Sequence, residues 1–67
     1  MVNNWFKYLV VFSSNTVWSK TNLLHCWKNE SIIMEALDLK YIEECGINDI
    51  GESQYRITEL GKKVRDN

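Results

Sequence analysis

Val2, Trp5, Phe6, Leu9 and Phe12 recur at the spacing of one helical face, so residues 3–13 read as an amphipathic helix. Tyr8, Val10 and Val11 in the same stretch are strand formers. Helix is preferred because the remaining chain needs a third helix to close a core. So read, the segment is apolar on more than one face, and Tyr8 and Val11 stay exposed unless something covers them. A polar break follows at Ser13-Ser14-Asn15-Thr16, rich in potential N-caps. Leu23, Leu24 and Trp27 then mark the buried face of a second helix over 19–27, with Cys26 beside them as a core thiol.

Asn29 is placed to cap a third helix, with Glu30 favourably in its first turn. Its apolar stripe is Ile33 and Leu37, flanked by Ile32 and Ala36, while Ser31, Glu35 and Asp38 face outward. The pattern changes near Lys40, where Tyr41-Ile42-Glu43-Glu44-Cys45 reads as a strand. Residues 46–53 (GINDIGES) carry turn chemistry, and 54–58 return as a strand with Tyr55 and Ile57 on one face and Arg56 on the other. Thr58 is an N-cap for a last helix, Glu59 lies in its first turn, and Lys62, Lys63 and Arg65 lie towards its C-terminus. Each charge there suits the helix dipole. Leu60 and Val64, four residues apart, are expected to pin that helix to the core.

The predicted class is mainly α with a small β-hairpin, in one domain over 1–67. At 67 residues the chain is near the lower size limit for folding without staples, and its 45% hydrophobic content is that of a globular protein. The absence of proline and the three glycines agree with a helix-rich fold. Two cysteines are too few for a disulfide framework, and no stretch reads as a secretory signal. A cytoplasmic protein with reduced thiols is the expectation. The longest apolar run, Tyr8 to Phe12, is five residues, far short of a membrane span.

Catalytic and metal chemistry find little footing. His25 and Cys26 are adjacent, so a helix points them apart, and with Cys45 they match no zinc spacing. There is no glycine-rich phosphate loop and no nucleophile with both a base and an orienting group. Neither an enzyme nor a bound cofactor is expected.

The run ALDLKYIEECGINDIGESQYRITELGKKV resembles the second half of a winged helix-turn-helix domain. The matching features are Ala36-Leu37, Tyr41-Ile42, the loop at 46–53, and Tyr55, Ile57, Thr58 and Gly61. Lys40 departs from the pattern, standing where the family usually ends its third helix on a glycine with positive φ. The resemblance implies a three-helix core, a two-stranded wing and a short C-terminal helix. It also implies double-stranded DNA as a ligand, with the third helix in the major groove and the wing beside the backbone. On this chain the DNA contacts would come from Lys28, Asn29, Ser31, Glu35 and Asp38, with Asn48, Ser53, Gln54 and Arg56 on the wing.

Charge pulls the other way. The net charge is only -1, but residues 29–53 hold seven acids against Lys40 alone. Phosphate contacts require bases, whereas an acidic helix and wing would suit a basic protein surface. Small winged helices also serve as protein-binding pieces, and some phage-encoded inhibitors, anti-CRISPR proteins among them, are small and acidic. The expectation is therefore a DNA-binding regulatory module, with a protein-binding module or inhibitor as the alternative. The aromatic surplus near the N-terminus has two readings: a central place in a small core, or a homodimer contact through Trp5, Tyr8, Leu9 and Phe12.

Overall fold

The computed structural model describes residues 4–13 and 15–66; Val2 of the first apolar stripe and Ser14 of the polar break lie outside them. Helices α1 (Phe6–Leu9), α2 (Lys20–Trp27), α3 (Glu30–Asp38) and α4 (Glu59–Asp66) combine with strands β1 (Trp18–Ser19), β2 (Ile42–Ile47) and β3 (Ser53–Ile57). The sheet is antiparallel, with order β1-β3-β2. The fold is thus mixed α and β, with a three-stranded sheet where the sequence pattern predicted a two-stranded hairpin.

The first helix is much shorter than its periodicity suggests. Only Phe6–Leu9 are helical, because carbonyls in this turn and just after it are claimed by distant side chains. Trp27 Nε1 donates to the Tyr8 carbonyl at 3.0 Å, Trp18 Nε1 to Val11 at 3.3 Å, and Arg65 Nη1 to Phe12 at 2.6 Å. Buried backbone acceptors need partners, and here side chains supply what continued helix would have supplied. The β-branched pair Val10-Val11 also favours leaving the helix.

Strand β1 is brief but well anchored. Trp18 pairs with Tyr55 and Ser19 with Gln54, and the Trp18 ring lies 6.2 Å from Phe12. Ser19 then becomes the N-cap of α2, its Oγ accepting from the Asn22 amide at 3.3 Å.

Helix α3 begins and ends on local chemistry. The Asn29 side chain accepts from the Ser31 amide at 2.9 Å. At the other end Tyr41 N–H donates to Ala36 O at 2.9 Å and Lys40 N–H to Leu37 O at 3.1 Å, the paired bonds of a Schellman motif. That motif needs a left-handed residue, and Lys40 takes it with φ 67°. A lysine thus occupies the conformation that glycine adopts most cheaply. Lys28 does the same after α2, with φ 62°.

The core comprises Leu9, Phe12, Leu23, Trp27, Ile33, Ala36, Ile42, Tyr55 and Ile57. Within α3 it is Ile33 and Ala36 that are buried; Leu37 is only half-buried, and Cys26 on α2 is exposed rather than in the core. A chain of ring contacts runs Tyr41–Trp5–Tyr8–Trp27–Phe12–Trp18, with centroids 5.2 to 6.2 Å apart. Most of these rings meet tilted or edge to face, geometries that add to burial.

Helix α4 corrects another expectation. Leu60 is 47% exposed, and Gly61 is the buried residue of that turn. A Cβ on Gly61 would sit 2.0 Å from the Tyr41 carbonyl oxygen, so the α4 backbone lies directly on the chain leaving α3. Thr58 fastens this junction from both sides. Its hydroxyl donates to Lys40 O at 2.5 Å and accepts from the Gly61 amide at 2.9 Å, and its own N–H donates to Tyr41 O at 3.0 Å.

Candidate interaction surface

The outward side of α3 is formed by Ser31, Met34, Glu35 and Asp38, all exposed. It carries no lysine or arginine. Beside it the β2–β3 hairpin adds Glu43, Glu44 and Asp49, also exposed. The hairpin tip is ordered by Asn48, whose Oδ1 accepts from the Ile50 amide at 3.1 Å and the Glu52 amide at 2.9 Å. Gly51 completes the bend at φ 84°. This leaves Ile47 and Ile50 at 68% and 77% exposure on a well-defined tip.

The residues expected to contact DNA are scattered in role. Lys28 is exposed at the end of α2, in left-handed conformation. Asn29 spends its side chain on capping α3, while Ser31 and Glu35 are exposed on it. Asp38 is exposed in the last turn of α3. Asn48 is engaged in the hairpin tip, and Ser53 and Gln54 are half-buried in β3. Arg56 is not free: β2 and β3 pair Glu43 with Arg56, and the Nε to Oε1 distance is 2.9 Å.

Other bases are similarly engaged. Lys20 bridges to Glu30 at 3.1 Å, and that hydrogen bond and charge raise the Lys20 pKa. Lys62 pairs with Glu59 at 3.1 Å. Arg65 contacts both Asp66 oxygens, at 2.7 and 3.0 Å, besides holding the Phe12 carbonyl. That bidentate hydrogen bond lowers the Asp66 pKa and raises that of Arg65. Such exposed pairs contribute little energy, but they halve the positive charge available to a polyanion. Among the described residues Glu35, Asp38, Glu44 and Asp49 have no cation within ion-pair distance.

The four residues proposed for a dimer contact are instead used inside one chain. Leu9 and Phe12 are 0% and 1% exposed, and Trp5 and Tyr8 are half-buried against the core. The apolar residues that this segment exposes are Phe6 and Val10. Of the expected stripe, Trp5, Leu9 and Phe12 do pack into the core and Phe6 is exposed, while Tyr8 and Val11, expected to stay exposed unless covered, are packed against the core.

Among the described residues no group of three or more His, Cys, Asp and Glu is arranged to hold a metal, and no helix is long and apolar enough to cross a membrane. Comparison with protein-family models finds no match, and comparisons with curated proteins and with solved structures also find none.

Proposed function

We propose that this chain is a small, non-catalytic interaction module of winged helix-turn-helix type. It binds a basic protein surface through α3 and the β2–β3 hairpin. The element order supports the winged-helix reading: three helices precede a β-hairpin that leads into a last helix, and a short strand ahead of α2 completes the sheet. The observation that carries the choice of ligand is the outward face of α3, where Glu35 and Asp38 are exposed and no base is present. Facing a duplex, these carboxylates would meet phosphates; facing a cationic partner, they steer association. Cys26 and Cys45 are both exposed thiols, which suits a reducing compartment such as the cytoplasm.

Duplex DNA is the second reading, favoured by one specific feature. Lys28 is exposed immediately before the N-terminus of α3, a helix end that attracts anions, and no carboxylate pairs with it among the described residues. Fluorescence anisotropy with labelled duplex at physiological salt separates the two. The protein reading expects binding no tighter than the usual non-specific range of roughly 10⁻⁴ to 10⁻⁶ M. Much tighter binding, weakened by Lys28→Ala and Arg56→Ala, would favour DNA.

A further inference from the structure

A concavity lies beside the outward face of α3. The end of α3, the start of β2 and the first turn of α4 bound an open groove of about 600 Å³. Leu37, Ile42 and Leu60 supply its apolar lining. A second depression of about 560 Å³ adjoins it, sharing Leu37 and Lys40 and adding Met34, which is 58% exposed. The exposure of Leu60 follows from the fold. Gly61 must face the Tyr41 carbonyl, which turns the preceding side chain away from the core and into the groove.

The rim is acidic. Glu35, Asp38, Glu43, Glu44 and Glu59 border the two depressions, against Lys40 as the sole base. Two of these carboxylates are already paired, Glu43 with Arg56 and Glu59 with Lys62, whereas Glu35, Asp38 and Glu44 remain open to a ligand's cations among the described residues.

We propose that this groove docks a basic amphipathic helix from a protein partner. The inference rests on the protein-binding reading above and gives it a site and a ligand shape. An apolar floor calls for apolar anchors, and an acidic rim calls for lysines or arginines flanking them. A helix with an apolar stripe and basic flanks meets both demands at once, in the helix-in-groove mode of recognition. A small molecule fits less well, because such ligands need most of their surface enclosed and this groove is open along its length.

The test uses a fluorescein-labelled synthetic helix of about four turns, with leucines on one face and lysines elsewhere. A matched peptide carries glutamates for the lysines. Anisotropy with the whole chain should show saturable binding of the leucine–lysine peptide and none of the leucine–glutamate peptide. The informative variant is Leu60→Glu. It adds negative charge, so diffuse electrostatic attraction would strengthen binding, whereas loss of an anchor site weakens it. The groove reading expects at least a tenfold loss. Leu60→Ser, checked for folding by circular dichroism, should also weaken binding, and Glu44→Lys should do so in a salt-dependent way. Unchanged or tighter binding by Leu60→Glu, or no binding by wild type, overturns the groove assignment. Neither result bears on capture of a native basic partner, so failure of the groove and failure of the broader reading are distinguishable.

Discussion

Replacing Gly61 by alanine sets two physical rules against each other. Glycine inside a helix is unfavourable, so on propensity alone the alanine variant gains about 1 kcal/mol. Packing predicts the opposite. The added Cβ would lie 2.0 Å from Tyr41 O, 2.8 Å from Ile57 Cγ1 and 2.9 Å from Tyr41 C. Two of the three neighbours are backbone atoms, so no side-chain rotation relieves the clash. Helix α4 must retreat by more than an ångström, which stretches the 2.9 Å cap bond from the Gly61 amide to Thr58 and the 3.0 Å bond from Thr58 N–H to Tyr41 O. Overpacking strain of roughly 2 kcal/mol, with about 1 kcal/mol for a weakened hydrogen bond, exceeds the propensity gain. The net loss is then about 2 kcal/mol, from a total stability of roughly 3 to 10 kcal/mol for a chain of this length. Thermal unfolding followed by circular dichroism should show Tm lower by about 8 to 16 °C. Gly46→Ala is the control, since its Cβ meets nothing nearer than Gln54 Oε1 at 3.8 Å; its Tm should move by less than about 4 °C. An unchanged or raised Tm for Gly61→Ala would refute the close approach of α4 to the chain leaving α3.

Lys40→Gly should stabilise the chain by about 0.5 to 1 kcal/mol in denaturant unfolding, since release of left-handed strain exceeds the added chain entropy. Lys40→Ala, which keeps the strain, should show no such gain. Thr58→Ala should cost about 1 to 2 kcal/mol by the same measurement through loss of the α4 cap, with Thr58→Ser recovering most of it. The Arg65 pair lowers the Asp66 pKa, so its contribution to stability is present above the unfolded carboxylate value and is lost as pH falls through the lower folded value. In an NMR titration, Arg65→Ala should move the Asp66 midpoint upward; an unmoved midpoint would contradict the bidentate contact.

Much of the fold was readable because its determinants are local. Asn29 and Thr58 announce helix starts by side-chain chemistry acting within a few residues, and the Leu23/Trp27 and Tyr55/Ile57 spacings reveal faces directly. What escaped is non-local. The end of α1 is decided by Trp27, Trp18 and Arg65, which take carbonyls 7 to 53 residues away. Strand β1 is two residues long and exists only by pairing with β3 across the chain. In α4 the i, i+4 rule favoured Leu60 as the anchor, whereas the signal was the glycine itself. A glycine in a helical pattern often marks a close backbone contact. The acidity of the candidate surface was likewise plain from composition. The pairing of Arg56 with Glu43 was not, because the β2–β3 register shifts between Glu44 and Gly46.

The most direct test of the proposed function is affinity capture from native lysate, wild type beside a Glu35→Lys/Asp38→Lys variant, each with and without nuclease. Wild type should retain a basic protein after nuclease treatment, and the charge-reversed variant should lose it. Capture that disappears with nuclease, or that survives reversal of both carboxylates, would contradict the proposed function.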